Sequence, residues 1–263
     1  MELGLQDKIV AITGPAKGMG PAITAAFVQE GCSIVLVGRD VEAMLPVEAS
    51  AKARNVEAMI VRCDVTDGEQ AEAGMRAARE RFGRVDVLVN VAGGSGPVGK
   101  PSWETTTEEF EEIIKLNMTG CFNMMRAVLP DMIARRSGKI VNVGGTFGMR
   151  GRAGRMAYSA SKWGLRGVTK STAIEVGAYN INVNCVAPGM VDGPRFREKV
   201  VASLMRAKGV TADEAIASHT DEYALGRIST AEDIASACLF LASDVSRQIT
   251  GVDLPVDGGW AAL

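Results

Sequence analysis

Short runs of aliphatic and β-branched residues recur along the chain at 9–13, 33–37, 57–61, 85–89, 139–143, 181–186 and 251–256, each nearly unbroken in apolar character. Strands exposed on one face would alternate apolar and polar positions, so continuous runs predict strands covered on both faces, as in a parallel sheet. Between them lie alanine- and charge-rich stretches of helical length, at 18–30, 41–54, 69–82, 107–135, 156–179 and 231–242. This strict alternation predicts an α/β fold with one doubly wound parallel sheet, right-handed crossovers laying helices on both of its faces. Gly31, Gly83 and Pro188-Gly189 stand where elements should stop.

The segment 190–227 breaks the rhythm. It carries Pro194, many charges and a helical pattern near 197–208. Because it follows the carboxyl end of a strand, where ligands bind in open α/β sheets, a substrate cover is one reading and a surface helical insertion the other. No linker, repeat or low-complexity tract interrupts the rest, so 1–263 is expected to form a single domain with 190–227 as a substrate-cover insertion.

Composition narrows the function. With 29 basic and 31 acidic side chains the chain has no cationic excess for nucleic acid, and the expected partner is a small molecule. The five cysteines (Cys32, Cys63, Cys121, Cys185, Cys238) are odd in number, lack CxxC spacing and sit in apolar surroundings, which predicts reduced core residues. The lone histidine, His219, has no cysteine or histidine at ligand spacing, so no metal site is expected. No stretch approaches the roughly 20 apolar residues that span a bilayer, and residues 1–8 lack the basic start and apolar run of a signal peptide. A cytoplasmic protein without membrane attachment is the expectation.

Directly after the first strand comes Thr13-Gly14-Pro15-Ala16-Lys17-Gly18-Met19-Gly20, inside which the first helix begins. Residues without Cβ allow the tight turn, and a helix amino terminus offers free N–H groups and a positive dipole end to a pyrophosphate. Strand before and helix after favour a dinucleotide cradle over a merely tight βα turn.

The spacing is GxxxGxG, and in order there follow Asp64-Val65, Asn90-Val91-Ala92-Gly93, Asn117, Tyr158 with Lys162, Pro188-Gly189 and a terminal Val256-Asp257-Gly258-Gly259. In this ordered set the chain resembles the short-chain dehydrogenase/reductase family almost end to end. The resemblance implies a Rossmann-like oxidoreductase that moves a hydride between a nicotinamide cofactor and a secondary alcohol or ketone. It further implies that Gly14, Lys17, Gly18, Met19 and Gly20 cradle the cofactor, that Asp64 and the Val65 amide meet the adenine, and that Asn90, Ala92, Gly93, Pro188, Gly189 and Val191 line it. Tyr158 and Lys162, four residues apart, share one helical face. A free tyrosine titrates near 10, and neighbouring positive charge favours its phenolate. By resemblance Tyr158 is the acid/base, Lys162 supports it and binds the nicotinamide ribose, and Asn117 holds a water that relays protons to Lys162.

A carboxylate about 20 residues beyond the glycine turn holds the ribose 2′-hydroxyl of NAD, whereas arginine there accommodates the 2′-phosphate of NADP. Here Gly38 stands at the end of the second strand, Arg39 follows, and Lys17 lies in the turn, so NADP(H) is favoured. The alternative is NAD with Asp40 turned inward to the ribose, and Asp40 equally suits the cap of the second helix.

Two positions depart from the family. The serine expected thirteen residues before the tyrosine is Gly145, with Thr146 beside it as a stand-in, and the threonine expected after Pro188-Gly189 is Gly193. Gly145 and Thr146 therefore border the substrate. These gaps keep a noncatalytic dinucleotide-binding sensor or scaffold in view as the alternative, and a 3-oxoacyl-carrier reductase is a third. Arg150, Arg152, Arg155, Arg195 and Arg197 flank the predicted cleft, with Arg152 the named candidate for an acidic substrate group; solvated surface arginines are the alternative. Trp163 and the tail Trp260-Ala261-Ala262-Leu263 suggest burial against a neighbouring subunit in a homo-tetramer or homo-dimer.

Overall fold

The computed structural model describes residues 2–262; Met1 and Leu263, which belong to the amino-terminal and tail readings above, lie outside the described residues. Seven strands, β1 (Ile9–Thr13), β2 (Ser33–Gly38), β3 (Ala58–Arg62), β4 (Val87–Asn90), β5 (Gly138–Val143), β6 (Ile181–Pro188) and β7 (Asp253–Val256), form one sheet in the order β3-β2-β1-β4-β5-β6-β7. Every pairing is parallel. The order reverses between β1 and β4, the switch point where a crevice opens beyond the carboxyl ends of the strands.

Alternate residues of each strand feed two cores. Val10 and Ile12 of β1 face helices α1 (Gly20–Gln29), α2 (Val41–Lys52) and α9 (Ala231–Ala242), where Phe27, Met44 and Leu241 are buried. Ile9 and Ala11 face the opposite layer, α3 (Gly68–Phe82), α5 (Gly120–Arg135) and α6 (Met156–Val176). Burial on both sides is why the strands read as unbroken apolar runs, and each fully buried large side chain contributes about 1.5–3 kcal/mol. Asp67 caps α3 by accepting from the amides of Glu69 and Gln70, and Gly83 ends it in the left-handed region at φ 82°. All five cysteines are buried and unpaired. Burial pushes the thiols of Cys32 and Cys185 up to about 12.

Two elements differ from the sequence reading. The stretch 107–135 is not one regular helix: α4 (Thr107–Ile114) passes through a π turn, Lys115–Thr119, before α5. Within 190–227 the single helical pattern resolves into a π turn, Phe196–Val201, then α7 (Ala202–Lys208) and α8 (Ala212–Thr220). The second helix was legible: Thr211 and Glu214 form a reciprocal capping box. These pieces share a small apolar cluster of Phe196, Val201 and Ala215.

Candidate active site

The glycine turn sits at the β1/β4 switch point. Thr13 Oγ1 accepts from the amides of Val91 and Ala92, both at 3.0 Å, which ties the end of β4 to the start of the turn. A Cβ at Gly20 would run into the Gly14 carbonyl oxygen, so helix and turn can approach this closely only through glycine. Gly18 adopts φ +61° and a Cβ there would meet nothing within 4 Å. An open hollow thus faces the amino terminus of α1, where Met19 offers no side-chain cap and Pro21 fills the first turn. The Gly20 amide donates to the Lys17 carbonyl and Pro21 carries no N–H, so an anion here would be met by the positive end of α1 and the remaining amides of the turn.

Around the adenosine end the predicted cations already have partners. Lys17 Nζ donates to Asp40 Oδ2 at 3.0 Å, and Arg39 Nη1 lies 3.5 Å from Asp64 Oδ2. Asp40 also accepts from the Ala43 amide as the cap of α2, its other oxygen reaching Lys17 of the glycine turn. The Lys17 ammonium and the Ala43 amide hold its carboxyl below the usual carboxylate range. Asp64 accepts from the amide and hydroxyl of Thr66, with Arg39 nearby, and its carboxyl is likewise held low. Val65 is buried, its carbonyl accepting from Asn123. A Cβ at Gly38 would stand 3.2 Å from Met44 Sδ, the end of a flexible side chain that would have to give by a few tenths of an ångström.

Asn90 turns inward rather than toward the cradle: its Nδ2 donates to Asn142 Oδ1 at 2.9 Å, and Asn142 in turn donates to Thr169 Oγ1 of α6. The chain of bonds ties β4, β5 and α6 together behind the site. Asn117 lies in the π turn and is completely buried, not solvent-facing as a mid-helix asparagine would be. Its Oδ1 accepts from the Gly94 amide at 2.8 Å, and its Nδ2 donates to the Gly94 carbonyl and to Ser161 Oγ. No bond joins it to Lys162 directly, although a Cβ on Gly93 would lie 3.0 Å from Asn117 Oδ1 and 3.8 Å from Lys162 Nζ.

Tyr158 and Lys162 occupy the first turns of α6. Lys162 is 5% exposed, and its Nζ donates to the Val143 carbonyl at 3.0 Å while lying 5.7 Å from the centre of the Tyr158 ring. The Phe147 ring meets Tyr158 edge-on at 6.1 Å. Where the sequence lacks serine, a Cβ on Gly145 would come within 3.1 Å of Tyr158 Oη, so this position does face the phenol. Thr146 does not replace the missing hydroxyl: it is buried, and its Oγ1 donates to the Pro188 carbonyl at 3.3 Å. Val191 pairs with Ser229 in a bridge that uses the Met190 carbonyl and the Asp192 amide, not its own peptide groups.

Beside Tyr158 opens a cavity of about 700 Å3, lined by Gly145, Phe147, Arg155, Met190, His219 and Trp260 among others. The 190–227 segment supplies one wall of it. Arg152 Nη1 is bonded to Glu222 at 2.7 Å in a half-exposed pair. One sequence expectation is corrected here. Trp260 is buried within its own chain against Phe147, its Nε1 donating to Glu222, rather than reserved for a neighbour. Arg152 and then Trp260 hold the Glu222 carboxyl below its ordinary range, and burial pulls the His219 imidazole below 6.5. Sequence reasoning left His219 and Tyr223 out of the site; both are buried cavity-lining residues brought in by α8 and the turn after it.

The sequence model of the family described as Enoyl-(Acyl carrier protein) reductase matches residues 14–261. The chain is 36% identical to trans-4-hydroxycyclohexanecarboxylate dehydrogenase of Sinomonas cyclohexanicum, the match covering 97% of this chain and 93% of that protein. It is equally 36% identical to galactitol 2-dehydrogenase of Agrobacterium fabrum, over 97% and 98% of the two chains. Among solved structures, NAD+-bound xylitol dehydrogenase superposes with a TM-score of 0.91 at 28% identity, covering 98% of this chain and 100% of that one.

Proposed function

The chain belongs to the short-chain dehydrogenase/reductase family and is a nicotinamide-dependent oxidoreductase of alcohols and ketones; from that premise we propose an NADP(H)-dependent enzyme with Tyr158 as its proton donor and acceptor. The cofactor, when bound, supplies or takes the hydride. The Gly14–Gly20 turn and the amino terminus of α1 hold the pyrophosphate, and Asp64 and Val65 receive the adenine. Ala92, Gly93, Pro188, Gly189 and Val191 border the nicotinamide, while Asn90 acts behind them by fixing β4 to β5. Tyr158 gives its proton to the carbonyl oxygen in reduction and takes one from the alcohol in oxidation. Lys162 binds the nicotinamide ribose, and its buried ammonium supports negative charge on the phenol oxygen. Asn117 fixes the Gly94 backbone and faces the same space over Gly93 as Lys162, where the relay water is placed.

The observation that carries the cofactor reading is Gly38, which puts no carboxylate at the end of β2, with Arg39 and Lys17 both exposed beside it. Exposed ion pairs are worth about 0–1 kcal/mol, so either cation can exchange its carboxylate for a 2′-phosphate at small cost. Retention of Tyr158, Lys162 and Asn117 together favours turnover over a sensor role. The wall built by 190–227 supports its reading as a substrate cover, and exposed Phe122, Trp163 and Ile174 on α5 and α6 support packing as a homo-oligomer. Five buried, reduced cysteines support a cytoplasmic setting.

The test compares kcat/KM with NADPH and NADH in the natural enzyme and in Tyr158→Phe. A preference for NADPH with turnover lost in the variant is the expected result. A preference for NADH overturns the cofactor choice, and undiminished turnover in Tyr158→Phe overturns the mechanism.

A further inference from the structure

The arginines near the cleft are not equivalent. Arg152 is bonded to Glu222 and Arg197 to Asp192, and Arg150 lies over the Trp260 ring with its Nη1 on the Trp260 carbonyl. Arg155 is 8% exposed, its Nε is buried with no hydrogen-bond partner, and among the described residues it has no ion-pair partner. Its guanidinium stacks 4.7 Å from the centre of the Tyr158 ring and 5.8 Å from that of Phe147.

Burying a cation without a counter-charge is costly, and contact with two aromatic faces recovers only part of that cost. Burial, with Arg195 as a neighbouring like charge, pulls the guanidinium below its ordinary pKa, yet arginine stays protonated in proteins. Nε is sealed off, and among the described residues Nη1 and Nη2 also lack hydrogen-bond partners, so the terminal donors of a cavity-lining guanidinium are left unfilled against the proton-transferring phenol. The remainder of the lining is divided. Val98, Phe147, Met190, Leu204 and Trp260 are apolar, while the basic residues Arg195, Lys199, Arg206 and Lys208 outnumber the acidic Glu198 and Glu222.

We propose that Arg155 anchors a carboxylate carried by the substrate close to its reacting carbon, so that the enzyme acts on hydroxy or oxo acids with an apolar body. This rests on Tyr158 being the proton-transferring group. The bidentate donor face of Arg155 meets the carboxylate, which brings the neighbouring carbonyl under the Tyr158 hydroxyl. The apolar body fills the side of Met190, Leu204 and Trp260. Arg155 touches substrate on this reading and so supplies charge in the region where Gly145 provides no hydroxyl.

Phenylacetate and phenylacetamide, alike in shape and different in charge, form the probe pair. Each is titrated by calorimetry into protein saturated with whichever nicotinamide nucleotide it binds more tightly. The natural protein should bind the acid more tightly than the amide. Arg155→Met should erase that preference, weakening the acid roughly 10- to 100-fold, as expected for a lost charge-assisted hydrogen bond. Arg155→Lys should keep a reduced preference, since it retains charge without the fork. Equal affinities in the natural protein, or a preference that survives in Arg155→Met, overturn the proposal. Should Arg155→Met fail to fold, the natural protein and Arg155→Lys decide by the same criteria. Turnover of cyclohexanone, a neutral ketone, reports separately on the oxidoreductase reading, because the binding measurement needs no reaction.

Discussion

Replacing Gly145 by alanine and by serine separates the space at this position from the hydrogen bond it lacks. The residue has φ 162°, extended backbone that any amino acid adopts, so neither variant strains the chain. The added Cβ meets Tyr158 Oη at 3.1 Å, with Lys162 Cγ and the Pro188 carbonyl next at 3.9 Å. The phenol must therefore give by a few tenths of an ångström, against a ring held between Phe147 and Arg155. Since a displacement of about 1 Å can cost 10²-fold, alanine should lower kcat several-fold. Serine carries the same Cβ and adds a hydroxyl beside the phenol. A preorganised donor to the developing oxyanion is worth about 2.7–4 kcal/mol, which is about 10²–10³ in kcat. The site has been built without it, so the lower end applies, and serine should exceed alanine by roughly 10²-fold. Steady-state oxidation of NADPH with a neutral ketone, read as kcat, measures the ratio. Indistinguishable rates for the two variants would mean that the substrate oxygen does not lie between Gly145 and Tyr158, and the active-site assignment would fall with it.

Two further outcomes follow from the cavity. His219 titrates lower in the folded chain than the 6.5 of a free imidazole because it is buried, so the unfolded state takes up the proton first as pH falls. Stability is full above that value and declines below it; between about pH 7 and 5.5 the natural protein should lose a few degrees of Tm, and His219→Gln should lose less. An equal decline in both would refute the assignment. Arg152→Ala breaks a half-exposed pair with Glu222, which also holds Trp260 Nε1, so Tm should move by no more than about a degree or two. KM should rise alike for acidic and neutral substrates, and a rise confined to acids would transfer the anchoring role from Arg155 to Arg152.

The sheet was legible because its strands are covered on both faces, which writes burial into every position of runs such as Ile9–Thr13. The glycine turn between β1 and α1, and the placing of Tyr158 and Lys162 on one helix, were legible because each depends on spacing within one local element. Pairing of charges was not. Arg152 and Arg155 lie three residues apart in one loop, but only tertiary structure brings Glu222 to the first and two aromatic rings to the second. The burial of Trp260 escaped for the same reason, since Phe147 and Glu222 are far away in sequence. The π turn has no Gly or Pro within it to announce it, and the bonding of Asn117 to Gly94 that accompanies it is visible only when folded.

That turn is best understood as a helix accommodating one surplus residue. Each residue advances a regular helix by about 100°, so excising one position from Lys115–Thr119 would straighten the rod while swinging Asn117 off the Gly94 backbone. The same excision would rotate everything upstream against everything downstream, so that Ile113, packed by Gly94 and Gly96, and Met124 and Met125, buried in the core beneath the sheet, could not all keep their places. The locally smoother sequence would be the poorer protein, and the irregularity is kept because two stretches of one helix answer to different neighbours.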